Sequence, residues 1–308
     1  MNAFSSRSIG TENIMFRIEF LIPAPPLIHN CIRGNCARRA KYTVFHDDQK
    51  RENLCLHHAV KFCHQNGLHL PREFKDQRMT EVDWLGSTDP TPMLEFLRGK
   101  ATDRKLRLFA AHSVGLAMEW LIHPNSKAAV VAAERIADGE SMGDVLGQIR
   151  RAAWDVLRLL PDIDSHVSAA RAAGRAVEES AFDAAFLTKN ELVQFYAETL
   201  EEKSGSVDEK YRLYWIGKAE GERLLADLLR ELIGNPIRKT VIDPDWLTFN
   251  VIEQARKIYD QRAFDRMPEL TRALEQAGCT NSDILSHCRQ SGTHVRGCWV
   301  VDLFLGKE

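Results

Sequence analysis

A mainly α-helical, multi-helix body behind a small zinc-stapled α+β module is the fold class this sequence predicts. Three observations predict it. From residue 79 onward apolar residues recur at helical spacing between helix-capping residues, with no strand-like alternation. Residues 31–64 gather cysteines and histidines at metal-ligand spacing. The charge also changes sign between the two regions: residues 31–78 carry a net +5 and residues 79–308 a net −7, hidden in a whole-chain value of −2.

The 308 residues suffice for one large or two modest domains, and 44% hydrophobic with 27% charged residues is the composition of a soluble globular protein. A net charge of −2 points away from a general nucleic-acid or membrane-surface binder. The first apolar run, Ile14 to Ile22, is broken by Arg17 and Glu19, unlike a secretory signal. No run reaches the length of a bilayer-spanning helix, so no membrane association is expected. The seven cysteines fall four and three at opposite ends, beside histidines. That pattern fits a reducing, cytoplasmic setting better than a disulfide framework.

The front module is expected over 1–78. Residues 1–13 are small and polar and read as a mobile N-terminus. Phe16 to Leu21 alternates like a half-buried strand, ended by Pro23-Ala-Pro-Pro26. Then comes Cys31-x4-Cys36-x18-Cys55-x2-His58, two close pairs joined by a hairpin-length insert, as a tetrahedral zinc site requires. Gly34-Asn35 suits the tight turn between the first two thiolates. Lys41 to His46 and Arg51 to Leu54 read as short strands, and Cys55 and His58 meet on the first turn of a helix running through Phe62. The predicted metal ligands are therefore Cys31, Cys36, Cys55 and His58, with zinc as a structural cofactor in a treble-clef or ribbon-like finger. His57, Cys63 or His64 could take the fourth place, and ordinary buried thiols are the other reading of the cysteines.

The body is expected over 79–308. Thr80 with Asp83 resembles a capping box, and Pro90 and Pro92 are expected to break the chain before a short turn at Met93 to Leu97. Asp103 caps a longer helix in which Leu106, Phe109, Ala110, Ser113, Ala117 and Trp120-Leu121 recur at helical spacing. Ala-rich helices follow to Leu187, then helices over 191–202 and 209–233, parted by Ser204-Gly-Ser206. Asp243-Pro244 reads as the start of a helix bearing Leu247, Val251, Ala255, Ile258 and Tyr259, and Pro268 as the start of another ended by Gly278. Between Val295 and Leu305 only Arg296 and Asp302 are charged, which predicts an eleven-residue buried helix that the other elements wrap.

Cys279, His287, Cys288, His294 and Cys298 form a second Cys/His cluster in this tail. The leading reading is buried structural residues, since free cysteine in an apolar segment behaves as a small hydrophobe. A second metal site is the alternative, with His294 and Cys298 four apart on one helical face. A thiolate–imidazole pair of Cys288 with His287 or His294 is the third, without an orienting partner or oxyanion donor in view.

Three blocks carry a resemblance: Met79-Thr-Glu-Val-Asp-Trp84-Leu through Thr88-Asp-Pro-Thr-Pro-Met93-Leu-Glu-Phe96-Leu-Arg-Gly-Lys100; Gly234-Asn-Pro236 through Met267-Pro268; and Ala277-Gly-Cys279, His287-Cys288-Arg289 and His294-Val-Arg-Gly-Cys298-Trp-Val-Val-Asp-Leu. Together they resemble a family of uncharacterised helical proteins expanded in planctomycete bacteria. The resemblance spans residue 79 to the C-terminus and implies a helical architecture and no activity. Relatives commonly start near the first block, which implies that 1–78 is an appended module. They also tend to carry cysteines where this chain has Ala110-Ala-His-Ser113, so no metal role transfers to that helix.

The sequence contains no phosphate-binding glycine loop, nucleophile elbow or His-Glu-x-x-His signature. It therefore predicts a non-enzymatic interaction or adaptor protein with a structural zinc site and an unidentified protein partner. The alternative is nucleic-acid binding through Arg33, Arg38, Arg39, Lys41, Arg51 and Lys61 of the front module, where only Tyr42 and Phe45 are spare for base stacking. The second alternative is an enzyme built on the C-terminal Cys/His cluster.

Overall fold

In a computed structural model of the chain, residues 79–307 are described apart from 162 and 291, together with the backbone of four strands within 3–54. The chain divides into two compact units, Met1–Arg78 and Met79–Glu308. In the first, β1 (Ala3–Ile9), β2 (Glu12–Phe20), β3 (Tyr42–Phe45) and β4 (Arg51–Leu54) pair in sequence order as an antiparallel meander. Ile18 stands opposite Val44, and Val44 opposite Glu52. The predicted ligands Cys31, Cys36, Cys55 and His58, with His57, Cys63 and His64, lie outside the described residues.

The second unit is helical, with twelve α-helices among its described residues. Helix α1 (Glu81–Gly86) starts at the expected capping box. The Thr80 hydroxyl accepts from the Asp83 amide at 3.2 Å, and the Asp83 carboxylate accepts from the Thr80 amide at 3.0 Å. Pro90 and Pro92 open α2 (Pro90–Leu97) instead of breaking the chain. Asp89 caps it, and the first turn has no use for the amides that proline lacks. Helix α3 (Asp103–Gly115) is capped by Thr102, one residue before the expected Asp103.

Helices α4 (Pro124–Ala137), α5 (Gly143–Asp155) and α6 (Asp164–Arg175) form the Ala-rich region. Helix α7 (Ala181–Glu201) begins ten residues before the expected start, because Ser180 supplies its cap. Helix α8 (Val207–Ile233) is the longest described. Alanines make these helices close neighbours: Ala110, Ala133, Ala172, Ala173, Ala184 and Ala185 are all buried in one core with Trp84, Phe109 and Phe195. The α7–α8 crossing needs glycine. A Cβ on Gly217 would lie 2.2 Å from the Tyr196 carbonyl oxygen, and one on Gly221 3.0 Å from the Tyr196 side chain.

Helices α9 (Phe249–Gln261), α10 (Met267–Gln276), α11 (Ser282–Arg289) and α12 (Trp299–Leu305) enclose a second core of Val251, Ile258, Leu270, Ile284, Val301 and Phe304. Asp243-Pro244 opens only a 3-10 turn, and Thr248 caps α9. The predicted eleven-residue terminal helix is seven residues long. Gly297 has φ +92°, outside the helical region, so the helix starts after it. Its buried face completes this second core; Leu303 and Leu305 remain only partly covered, so the body does not wrap it on every side.

Apolar and polar contacts both join the two cores, and Val295 packs against the first. Trp299 lies over Gly234 at the end of α8, and Leu108 and Leu232 close against Gly297. Asp302, 2% exposed at its side chain, accepts from Arg104 and from Lys105, each at 2.6 Å. Arg296 pairs with Asp138 at 3.1 Å, Tyr259 donates to Asp138 at 2.8 Å, and Arg262 pairs with Glu134. The covalent link is the 234–248 strap, whose Arg238 and Lys239 are exposed. Among the described residues no helix is long and apolar enough to cross a membrane.

Gly217→Ala tests the close α7–α8 approach. It is expected to cost about 1–3 kcal/mol, because the added carbon meets backbone that cannot swing aside. Chemical denaturation checks this. An unchanged midpoint would show that the two helices separate at no cost.

Candidate metal centre

Four side chains converge where the second core meets α8. Glu231 projects from the last turn of α8, and His287 from the last turn of α11. His294 lies in the loop between α11 and α12, and Cys298 is the residue before α12 begins. The loop is held from three sides. Lys105 donates to the Gly297 carbonyl at 2.8 Å, His112 Nε2 lies 2.7 Å from the Arg296 carbonyl, and the Val295 amide donates to Glu231 Oε1 at 3.3 Å. Cys298 bends back so that its amide donates to the Val295 carbonyl at 2.9 Å. Gly297 makes the turn possible, because a Cβ there would meet Leu108 at 2.6 Å.

One ligand atom from each of Glu231, His287, His294 and Cys298 lies within 4.8 Å of all the others. His287 Nε2 is 3.1 Å from Cys298 Sγ and 3.2 Å from Glu231 Oε2. His294 Nδ1 is 3.2 Å from both Glu231 oxygens. Ligand bonds of about 2.0–2.3 Å arranged tetrahedrally place neighbouring ligand atoms roughly 3.3–3.8 Å apart. The shortest separations, 3.1–3.2 Å, lie just below that range, and the rest are within 4.8 Å. Hydrogen bonding alone accounts for them poorly, since one ring nitrogen of His287 faces both a thiol and a carboxylate and has one proton or one lone pair for the two. His294 Nε2 is buried with no hydrogen-bond partner.

The electrostatics match the geometry. Burial, helped by His294 and opposed by Glu231, lowers His287 to about 4, leaving a neutral imidazole with a free lone pair at neutral pH. Burial also pushes His294 down, but its hydrogen bond to Glu231 and that carboxylate's charge outweigh this and raise it. Burial, reinforced by Glu231, holds the Cys298 thiol well above its usual range. Without a cation the site therefore keeps a protonated thiol. A soft thiolate, two imidazoles and one carboxylate suit zinc or a similar transition ion, and not magnesium or calcium.

Of the five tail residues singled out in the sequence, the structure brings together His287, His294 and Cys298. Cys279 and Cys288 belong to the second core. The four-residue spacing of His294 and Cys298 works through the Gly297 turn rather than a helical face. Sequence reasoning missed Glu231. Its one local signal is a carboxylate beside the buried Leu225, Leu228, Leu229 and Leu232, where the apolar stripe of α8 ends. Comparisons with protein-family models, curated proteins and solved structures find no match to this chain.

The thiols carry a direct prediction. Burial first, then the charges of Cys279 and Glu231, push Cys288 up to about 12, and burial likewise raises Cys279. Iodoacetamide at neutral pH is expected to leave Cys279, Cys288 and Cys298 unmodified in the native chain and to alkylate all three after unfolding, read by peptide mass spectrometry. Rapid native labelling of Cys288 or Cys298 would restore the reactive-thiol reading.

Proposed function

We propose that this protein is a non-enzymatic interaction or adaptor protein whose helical body is completed by one zinc ion on Glu231, His287, His294 and Cys298. The observation that carries the metal reading is the convergence of those four ligand atoms within 4.8 Å. A set of four protein ligands fills a tetrahedron and leaves no position for a substrate or an activated water, which is the form of a structural zinc site. Burial supports the same role, since the Glu231 and His294 side chains are 11% and 5% exposed. The front module, with Cys31, Cys36, Cys55 and His58 as its own zinc ligands, belongs to the same proposal. Its net +5 and the body's net −7 offer docking faces of opposite charge.

Metal analysis of the purified full chain tests this. Cys298→Ala is expected to lose one equivalent of zinc relative to the parent chain, and Cys36→Ala another. A Cys298→Ala chain with undiminished zinc would remove the C-terminal site from the proposal.

The site also sets a pH dependence. The Cys298 thiol, raised by burial, must lose its proton on binding, so affinity is expected to rise with pH by about tenfold per unit for each proton released. His287, already neutral above about 4, adds nothing to that slope near neutrality, whereas His294, held protonated to higher pH by Glu231, adds its own proton until it is neutral. Competition with a chromophoric chelator across pH measures the slope, and a flat profile would argue against thiolate ligation.

A further inference from the structure

Resting on the zinc reading above, we infer that the ion acts as a latch between the two cores of the helical unit, so that its occupancy controls how firmly the C-terminal lobe of α9–α12 is docked. The ligands divide unequally. His287, His294 and Cys298 belong to elements of the C-terminal lobe, whereas Glu231 stands on α8, whose Leu229 and Leu232 lie in the first core. One ion therefore joins two lobes whose covalent link is the partly exposed strap 234–248, where Arg238 pairs with Glu81 of α1 at 3.0 Å and Asp283 of α11 at 2.9 Å and so stays ordered while the seam is closed.

The rest of the seam is the kind that opens. Arg262–Glu134 and Arg296–Asp138 are partly solvated pairs, individually weak and screened by salt. Asp302 with Arg104 and Lys105 is well buried, but a pair of this kind repays its own desolvation only in part. Apolar closure rests on the close approaches at Gly234 and Gly297 and on Val295, which packs against the first core. A metal bond added across such a seam changes its opening equilibrium far more than one added inside either core would. A ligand bound only by the closed form, at about a hundred times its Kd, favours closure by up to about a hundredfold. The three ligands left on an open lobe would retain some affinity and reduce that figure.

The partition makes Glu231 the residue that separates holding the ion from latching. In the zinc-loaded full chain, trypsin is expected to cut slowly after Arg238 and Lys239, and the amides of α12 to exchange slowly. Chelation is expected to speed both by about tenfold or more while exchange in α6 and α7 stays unchanged. In Glu231→Gln, zinc is expected to make no difference to either readout, whether or not the lobe's three ligands retain the ion. Three results would overturn the latch: no change on chelating a chain shown to hold zinc, a rise in exchange across α6 and α7 as well, or zinc-dependent protection persisting in Glu231→Gln. A parent chain that takes up no zinc would instead end the metal reading itself.

Discussion

The C-terminal lobe is held to the bundle by a buried charge. Asp302 sits in the first turn of α12 with its carboxylate almost wholly out of water, and Arg104 and Lys105 of α3 reach it from the other core. Burial pushes the Lys105 ammonium down while Asp302 pulls it back. Lys105 also donates to the Gly297 carbonyl, and the Asp302 amide donates to the Cys298 carbonyl at 2.9 Å. The residues that dock the lobe thus fix the backbone on both sides of Cys298. The position of the proposed thiolate ligand depends on the same charge pair that docks the lobe.

What was legible in the sequence follows from the range of the interaction concerned. Helix starts are local, so Thr80 with Asp83 could be read directly, while the starts of α3 and α9 were misplaced only by the choice among neighbouring capping residues. Pro90 misled because proline both ends and opens helices, and only the cap at Asp89 decides between them. Val295 to Leu305 misled in a different way. Its composition suits a helix throughout, but the positive φ at Gly297 lets the chain press against Leu108 and Leu232, a tertiary demand invisible in the pattern. Glu231 lies fifty-six residues from His287 in the chain, and no local pattern ties an acidic residue near a helix end to histidines so far away.

The two cores solve packing differently, and this bears on the site. The first relies on alanine and glycine, which bring helix axes close and admit only small polar groups such as Ser113, Ser168 and Thr188 beside them. The second is smaller and filled by branched side chains and three cysteines. Cys279 and Cys288 serve there as compact apolar groups, as the leading reading of the tail cysteines expected. Cys298 belongs to the same core by burial, yet its sulfur faces His287 at 3.1 Å, with Glu231 beside that imidazole. Chemically similar residues ten apart in sequence thus divide between packing and candidate ligation according to which side of the seam they face.

The mixed composition of the ligand set follows from its place on that seam. A site inside one core could be built of thiolates alone, but here one ligand must come from α8, where the helix ends and the bundle surface begins. A carboxylate suits that position, because Glu231 can also accept the Val295 amide and so hold the loop before any ion is bound. The two imidazoles close the remaining gap from different elements, their ring centroids 4.9 Å apart at an interplanar angle of 70°. His287 is lowered by burial while His294 is raised by the same carboxylate, so two identical side chains a few ångströms apart differ in how tightly they hold a proton. The His294 ring is oriented by its Nδ1, and the constraint on Nδ1 comes from Glu231, across the seam, with the Gln290 backbone adding a weaker contact.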